Sequence, residues 1–259
     1  MRLWRGVILA LAAVYFVGPL AAAAEFSLRT GGSGYGLGNY LAIARDPELR
    51  GALSTSLQIA LATIVLTLAL MVPTVVYVRL RLPRLGLLLE GVTVLPIVIP
   101  PVVMAAGMAT VQAGAGPASR LFDTPLTALT PFYVILALPF TYRSLDAGLR
   151  AIDLRTLVEA ARNLGAGWGT VLGRIILPNI RTAVLGAAFL TLALVLGEVV
   201  IARILLYVTF PVQVVVTGQT SAGVSVALSL ASLVLTWLLL LLLSFAGGRG
   251  RRGTTGGIV

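Results

Sequence analysis

The sequence contains no cysteine, no histidine and no lysine, and these gaps remove most enzyme chemistries. Without cysteine there is no disulfide and no thiol nucleophile, and the redox compartment leaves no trace. Without histidine there is no imidazole base, and the two absences together remove nearly all zinc sites. All 19 basic residues are arginine. A nucleotide-binding Walker A loop needs a lysine to reach the phosphates, so the chain holds no such ATPase site. Acidic residues are also few, 9 in 259, and do not cluster. No catalytic residue, metal site or cofactor of its own is therefore expected. Charged residues reach only 11% of the chain, against roughly 25% in soluble domains.

What is present is apolar: 58% of residues are hydrophobic and the mean hydropathy is +1.02. The expected class is an all-α integral membrane protein. Windows of about 20 apolar residues fall at Val7 to Ala24, Leu53 to Val78, Gly86 to Met108, Leu126 to Tyr142, Ala183 to Ala202 and Val224 to Ala246, giving six transmembrane helices. Segment 1–24 has a second reading as a secretory signal peptide, because Arg2 and Arg5 precede it and Ala22 to Ala24 end it. Its apolar stretch is longer than a signal core, which favours a retained span. Residues 25–52 read as an outer loop with a glycine-rich turn from Gly31 to Gly38, residues 53–246 as a five-helix core, and residues 247–259 as a basic tail near anionic headgroups.

Arginine placement sets the orientation. With the N-terminus inside, the inner side holds Arg2, Arg5, Arg79, Arg81, Arg84, Arg143, Arg150, Arg155, Arg162, Arg174, Arg181, Arg249, Arg251 and Arg252. The outer side holds Arg29, Arg45, Arg50, Arg120 and Arg203. Both termini are thus expected in the cytoplasm. The basic residues lie between apolar runs rather than in one patch, which disfavours nucleic acid as a partner and suits membrane lipid.

The longest inner connection, 143–182, is patterned. Leu154, Leu157, Val158, Ala161 and Leu164 share one helical face, and Asp153 precedes them as an N-cap. Gly165 and Gly167 stop this helix. Trp168, Val171, Leu172 and Ile175 begin a second, which ends at Pro178. On amphipathicity alone, the pair is either an interfacial helix on lipid or a knob that docks into another protein.

Glu159-Ala160-Ala161, three residues, Gly165, nine residues, then Ile175-Ile176-Leu177-Pro178 reads EAA-x3-G-x9-I-x-L-P. This resembles the EAA motif of binding-protein-dependent ABC importer permeases. Leu95 to Val103, with Pro96, Pro100 and Pro101, looks like the proline-rich third helix of the spermidine/putrescine-type branch. Leu138-Pro139-Phe140, Leu196-Gly197-Glu198 and Thr209-Phe210-Pro211 are similar to it too. Iron, thiamine, molybdate and phosphonate permeases share much of this wording, so the resemblance leaves the solute at a leaning towards polyamine.

The resemblance implies a cytoplasmic coupling-helix elbow between spans 4 and 5, with Glu159, Ala160, Ala161, Gly165, Ile175, Leu177 and Pro178 facing or shaping the contact. It implies an ATP-binding cassette ATPase dimer that binds ATP and magnesium, a second homologous permease in a heteromeric pair, and an extracytoplasmic solute-binding protein. It places the chain in a bacterial inner membrane. Ala160 and Ala161 lack bulk, so a partner surface can come close, while Glu159 has a local alternative in Arg155 or Arg162.

Two features of the spans read as candidates for the translocation pathway. Pro96, Pro100 and Pro101 free backbone carbonyls inside one span, which either line a path or mark a packed kink. Glu198 is the one carboxylate well inside a span, where it faces a cavity or a structural partner. An ion-coupled secondary transporter would want more ionisable groups at mid-membrane and an inverted repeat, and neither is visible.

Overall fold

A computed structural model describes residues 2–30, 34–114 and 116–248. The first part of the glycine-rich turn, 31–33, and the tail from residue 249 lie outside these residues. The first helix, α1 (Arg2–Leu28), leads through a two-stranded hairpin, β1 (Arg29–Thr30) with β2 (Gly34–Tyr35), into α2 (Gly38–Arg45). Asp46 then caps α3 (Pro47–Arg81), accepting the amide hydrogens of Glu48 and Leu49. The segment expected as a loop, 25–52, is therefore mostly structured. Asn39 Nδ2 donates to the carbonyls of Ser27 (2.8 Å) and Arg29 (3.0 Å), which pins the end of α1 to α2.

The third apolar segment is not one straight rod. It forms α4 (Gly86–Val98) and α5 (Pro101–Gly114), bent by 89°. The cause is local. Two prolines in a row remove two donors, and the residue before a proline is pushed out of helical geometry. Ile99 accordingly takes φ −84°, ψ 120°. Pro96 stays inside α4, buried, whereas Pro100 and Pro101 are exposed at the corner.

A 3-10 turn (Gly116–Phe122) leads to α6 (Pro125–Arg150), which runs two turns past the expected end at Tyr142. The elbow follows as α7 (Leu154–Asn163), α8 (Trp168–Thr170), a wider π-helical segment (Val171–Ile176) and α9 (Leu177–Asn179). The fifth span is also broken: α10 (Arg181–Gly197) stops at Glu198, and α11 (Val200–Ile204) is a separate short piece. The outer return read as a loop holds α12 (Phe210–Thr220), and α13 (Ala222–Gly248) closes the described chain. Among the described residues, five helical segments are long and apolar enough to cross a membrane, and the bent pair α4–α5 brings the number to six when taken as one broken span.

The centre of the bundle is α3, α6 and α10, packed on one another. Their contact faces are small: Ala60, Thr63 and Thr67 on α3, Ala137 and Thr141 on α6, Ala187, Ala188 and Thr191 on α10 are all buried. Lipid tails are as apolar as leucine, so membrane helices associate through close van der Waals packing, which small residues permit. Gly148 is the tightest point, because a Cβ there would sit 2.3 Å from Ala183 Cβ. Helix α13 lies outside this centre with α1 along it.

Candidate functional site

The elbow is built as a rigid corner on a deep base. Leu154, Val158 and Ala161 of α7 join Val171, Ile176 and Ile180 of the second limb in one buried cluster. The same cluster holds Met71, Val72, Val75 and Val76 of α3 and Tyr142, Leu145 and Leu149 of α6. The elbow thus sits where α3 and α6 end, clamped by side chains from both.

The start of α7 is capped by Asp153, whose carboxylate accepts from the Thr156 backbone N–H at 3.3 Å. Hydrogen bonds from the Thr156 hydroxyl and then its backbone N–H hold the Asp153 pKa below its ordinary value. The end of α7 is a Schellman turn. Gly165 adopts φ +82°, its N–H donates to Arg162 O (3.0 Å), and Ala166 N–H donates to Ala161 O (3.0 Å). Arg162 ties the two limbs: its Nη1 donates to Ala166 O (2.9 Å) and its guanidinium lies 5.7 Å from the centre of the Trp168 ring.

The motif residues separate by direction. Glu159 and Ala160 are exposed, whereas Ala161 is buried against the chain's own core. Ala161 therefore serves the packing of the elbow's own base, and Ala160 offers an open, bulk-free surface. Glu159 accepts from Arg155 Nε at 2.9 Å on the solvent side. Leu164, placed by periodicity on the buried face, is 88% exposed at the tip of the corner. It falls beyond the last regular turn of α7, where the helical period no longer holds. Gly165 is also exposed.

In the second limb, Ile176 is buried, and Ile175 and Leu177 pack half-buried against the cluster. The limb runs one residue past Pro178, to Asn179, close to the expected end. The backbone widens to π geometry over Val171–Ile176 just before Pro178, which makes room for a ring that would clash with the carbonyl four residues back. Asn179 Nδ2 satisfies the Ile175 carbonyl at 2.7 Å, and Ile180 is the C-cap.

One charged cluster escaped the sequence reading. Asp146 of α6 accepts from Arg79 Nε of α3 (2.8 Å) and from Arg150 Nε (2.8 Å). Its side chain is 14% exposed, so it crosslinks the helices that carry the elbow. The i, i+4 spacing of Asp146 and Arg150 was a visible signal, but the partner 67 residues away was not.

Of the pathway candidates, Pro96 is buried in α4 and Pro100 and Pro101 form the exposed corner before α5, while Glu198 lies beside α11. Glu198 is half-buried at the break between α10 and α11 rather than inside a continuous helix. Its carboxylate accepts from Ile201 N–H (3.0 Å) and Ala202 N–H (3.5 Å) at the start of α11, and from the buried Tyr133 hydroxyl (3.0 Å). It thus satisfies donors that a helix start leaves open. Ile201 and Ala202 pack with Ala105 of α5, so the break at Glu198 and the helix begun by Pro101 share one buried cluster. The elbow residues belong to the other cluster.

Comparison with known proteins agrees with the motif. A 30% identical relative over 221 residues, covering 78% of this chain and 81% of its own, is the molybdenum transport system permease protein ModB of Mycobacterium bovis. The ModB of Mycobacterium tuberculosis matches to the same extent. A probable ABC transporter permease protein, y4fN of Sinorhizobium fredii, is 31% identical over 213 residues, which are 75% of this chain and 36% of that one. The family described as binding-protein-dependent transport system inner membrane component matches residues 75–249, a stretch that holds the elbow, both broken helices and α12. The chain belongs to that family, the membrane-embedded permease subunits of ABC importers.

Proposed function

We propose that this chain forms part of the solute path of an ABC importer and takes its driving force through the 153–180 elbow from a separate ATPase dimer in the cytoplasm. The observation that carries the reading is the combination of an exposed tip, Ala160 and Leu164, with a base buried in α3 and α6. A lever needs a contact surface at one end and a rigid attachment at the other. In this reading Glu159, freed from Arg155, pairs with an arginine of the ATPase. The termini are cytoplasmic, a second and different permease of the same family completes the path, and an external binding protein delivers the solute.

Deleting the elbow would remove Val158, Ala161, Val171 and Ile176 from the core and unfold the chain. Tip substitutions are the cleaner test. Leu164→Glu and Ala160→Trp should each leave the permease folded and lose most copurifying ATPase. Full ATPase recovery with both variants would overturn the reading.

For the solute, we infer a small oxyanion such as molybdate. The support is twofold: two relatives are named for molybdenum transport, and the one mid-span carboxylate, Glu198, is occupied by backbone N–H groups and Tyr133. A polyamine is a polycation and wants free carboxylates along its route. That second reading keeps the proline-rich wording of 95–103 in its favour. ATPase stimulation of the reconstituted importer by its loaded binding protein, with molybdate against spermidine, separates the two.

A further inference from the structure

Beside the elbow, the last turns of α3 carry a lateral groove of about 820 Å³ lined by Pro73, Tyr77, Val78, Arg81, Trp168 and Leu172. Its second wall is the Trp168–Leu172 limb of the elbow. The walls are mostly apolar, and the lining carries two aromatics with polar tips, Tyr77 and Trp168, and one guanidinium group, Arg81. Arg81 is exposed and has no acidic partner among the described residues. Trp168 is itself stacked by the Arg162 guanidinium, 5.7 Å from its ring centre. No acidic residue among those described lines the groove, and Asp146 and Glu159 are engaged by Arg79 and Arg150 and by Arg155.

We propose that this groove binds one anionic phospholipid, with its phosphate at Arg81 and an acyl chain along Pro73, Tyr77 and Leu172. Three arguments select a lipid. Helix α3 has 35 residues, about 52 Å at 1.5 Å per residue, so it outruns a hydrocarbon layer of about 30 Å and reaches headgroup depth. Trp, Tyr and Arg together are the side chains that settle at that depth. A water-soluble anion would meet Arg81 but leave the apolar wall uncovered. Basic pockets between membrane helices are suited to anionic headgroups. Because one wall is the elbow, a bound lipid braces the second limb against α3.

The test is native mass spectrometry of the purified full chain titrated with short-chain phosphatidylglycerol, phosphatidylcholine or inorganic phosphate. Phosphatidylglycerol should be retained over phosphatidylcholine. Arg81→Ala should weaken its retention about fivefold, the size expected for one arginine near a lipid surface, and Arg81→Lys should restore it. Leu172→Trp, which fills the groove, should expel both lipids. Equal retention of the two lipids, an unchanged Arg81→Ala or Leu172→Trp variant, or displacement of the lipid by inorganic phosphate would each overturn the proposal. So would a crosslink from Tyr77→Cys to a second permease chain in native membranes, since that would put protein in the groove.

Discussion

Gly165 turns the chain at the elbow with φ +82°, and no atom lies within 4 Å of where its Cβ would be. Any cost of Gly165→Ala is therefore backbone strain, about 1–2 kcal/mol. We expect ATPase binding, measured by titrating the ATPase, to fall about tenfold and the melting temperature of the purified permease to drop by only a few degrees. Asp153 gives a pH prediction. Its pKa is lowered in the folded elbow, so its stabilisation is present above the ordinary carboxylate value of 3.8 and fades as pH falls through the lower folded value. Hydrogen exchange of 154–163 should accelerate in that acid window, and Asp153→Asn, which keeps the cap, should remove the pH dependence. These residues were legible in the sequence because capping and glycine turns are local. Leu164 was not, since a period of 3.6 says nothing about where the helix stops. The Tyr133 partner of Glu198 was hidden for a different reason, its distance of 65 residues along the chain.

At the scale of the elements, the decisive contact is the crossing of α6 and α10. Gly148→Ala would drive a methyl into Ala183 and should cost about 1–3 kcal/mol, the usual range for overpacking. Gly91→Ala on α4 meets nothing within 4 Å and serves as the control. Thermal unfolding in detergent should show a clear drop for the first and none for the second. Breaking the α3–α6 clamp with Asp146→Asn weakens two charge-assisted hydrogen bonds and should cost about 1–3 kcal/mol. The same assay reads it, and an unchanged unfolding temperature would show the clamp to be ornamental. Apolar windows located the hydrophobic segments, and Pro96, Pro100 and Pro101 marked the bend in the third, but the break at Glu198 was missed. A window average carries no information on backbone donors, whereas Pro100 and Pro101 act through the donors they remove. The break at Glu198 has no proline at all, and rests on a side chain that serves the next helix start.

For the whole molecule, family and class were readable from composition and one spaced motif, because membrane insertion and partner docking both leave patterns along the chain. The solute was not readable, since no motif along the chain is specific to one solute. The central claim is that the elbow tip faces the cytoplasm and meets an ATPase. The chain has no cysteine, so Leu164→Cys introduces a single reporter. In cells carrying the complete importer, this cysteine should resist a membrane-impermeant maleimide applied from outside and react in inside-out vesicles. It should become protected, and crosslink to the ATPase, when that subunit is present. Labelling from the outer face, or equal labelling with and without the ATPase, would contradict the account.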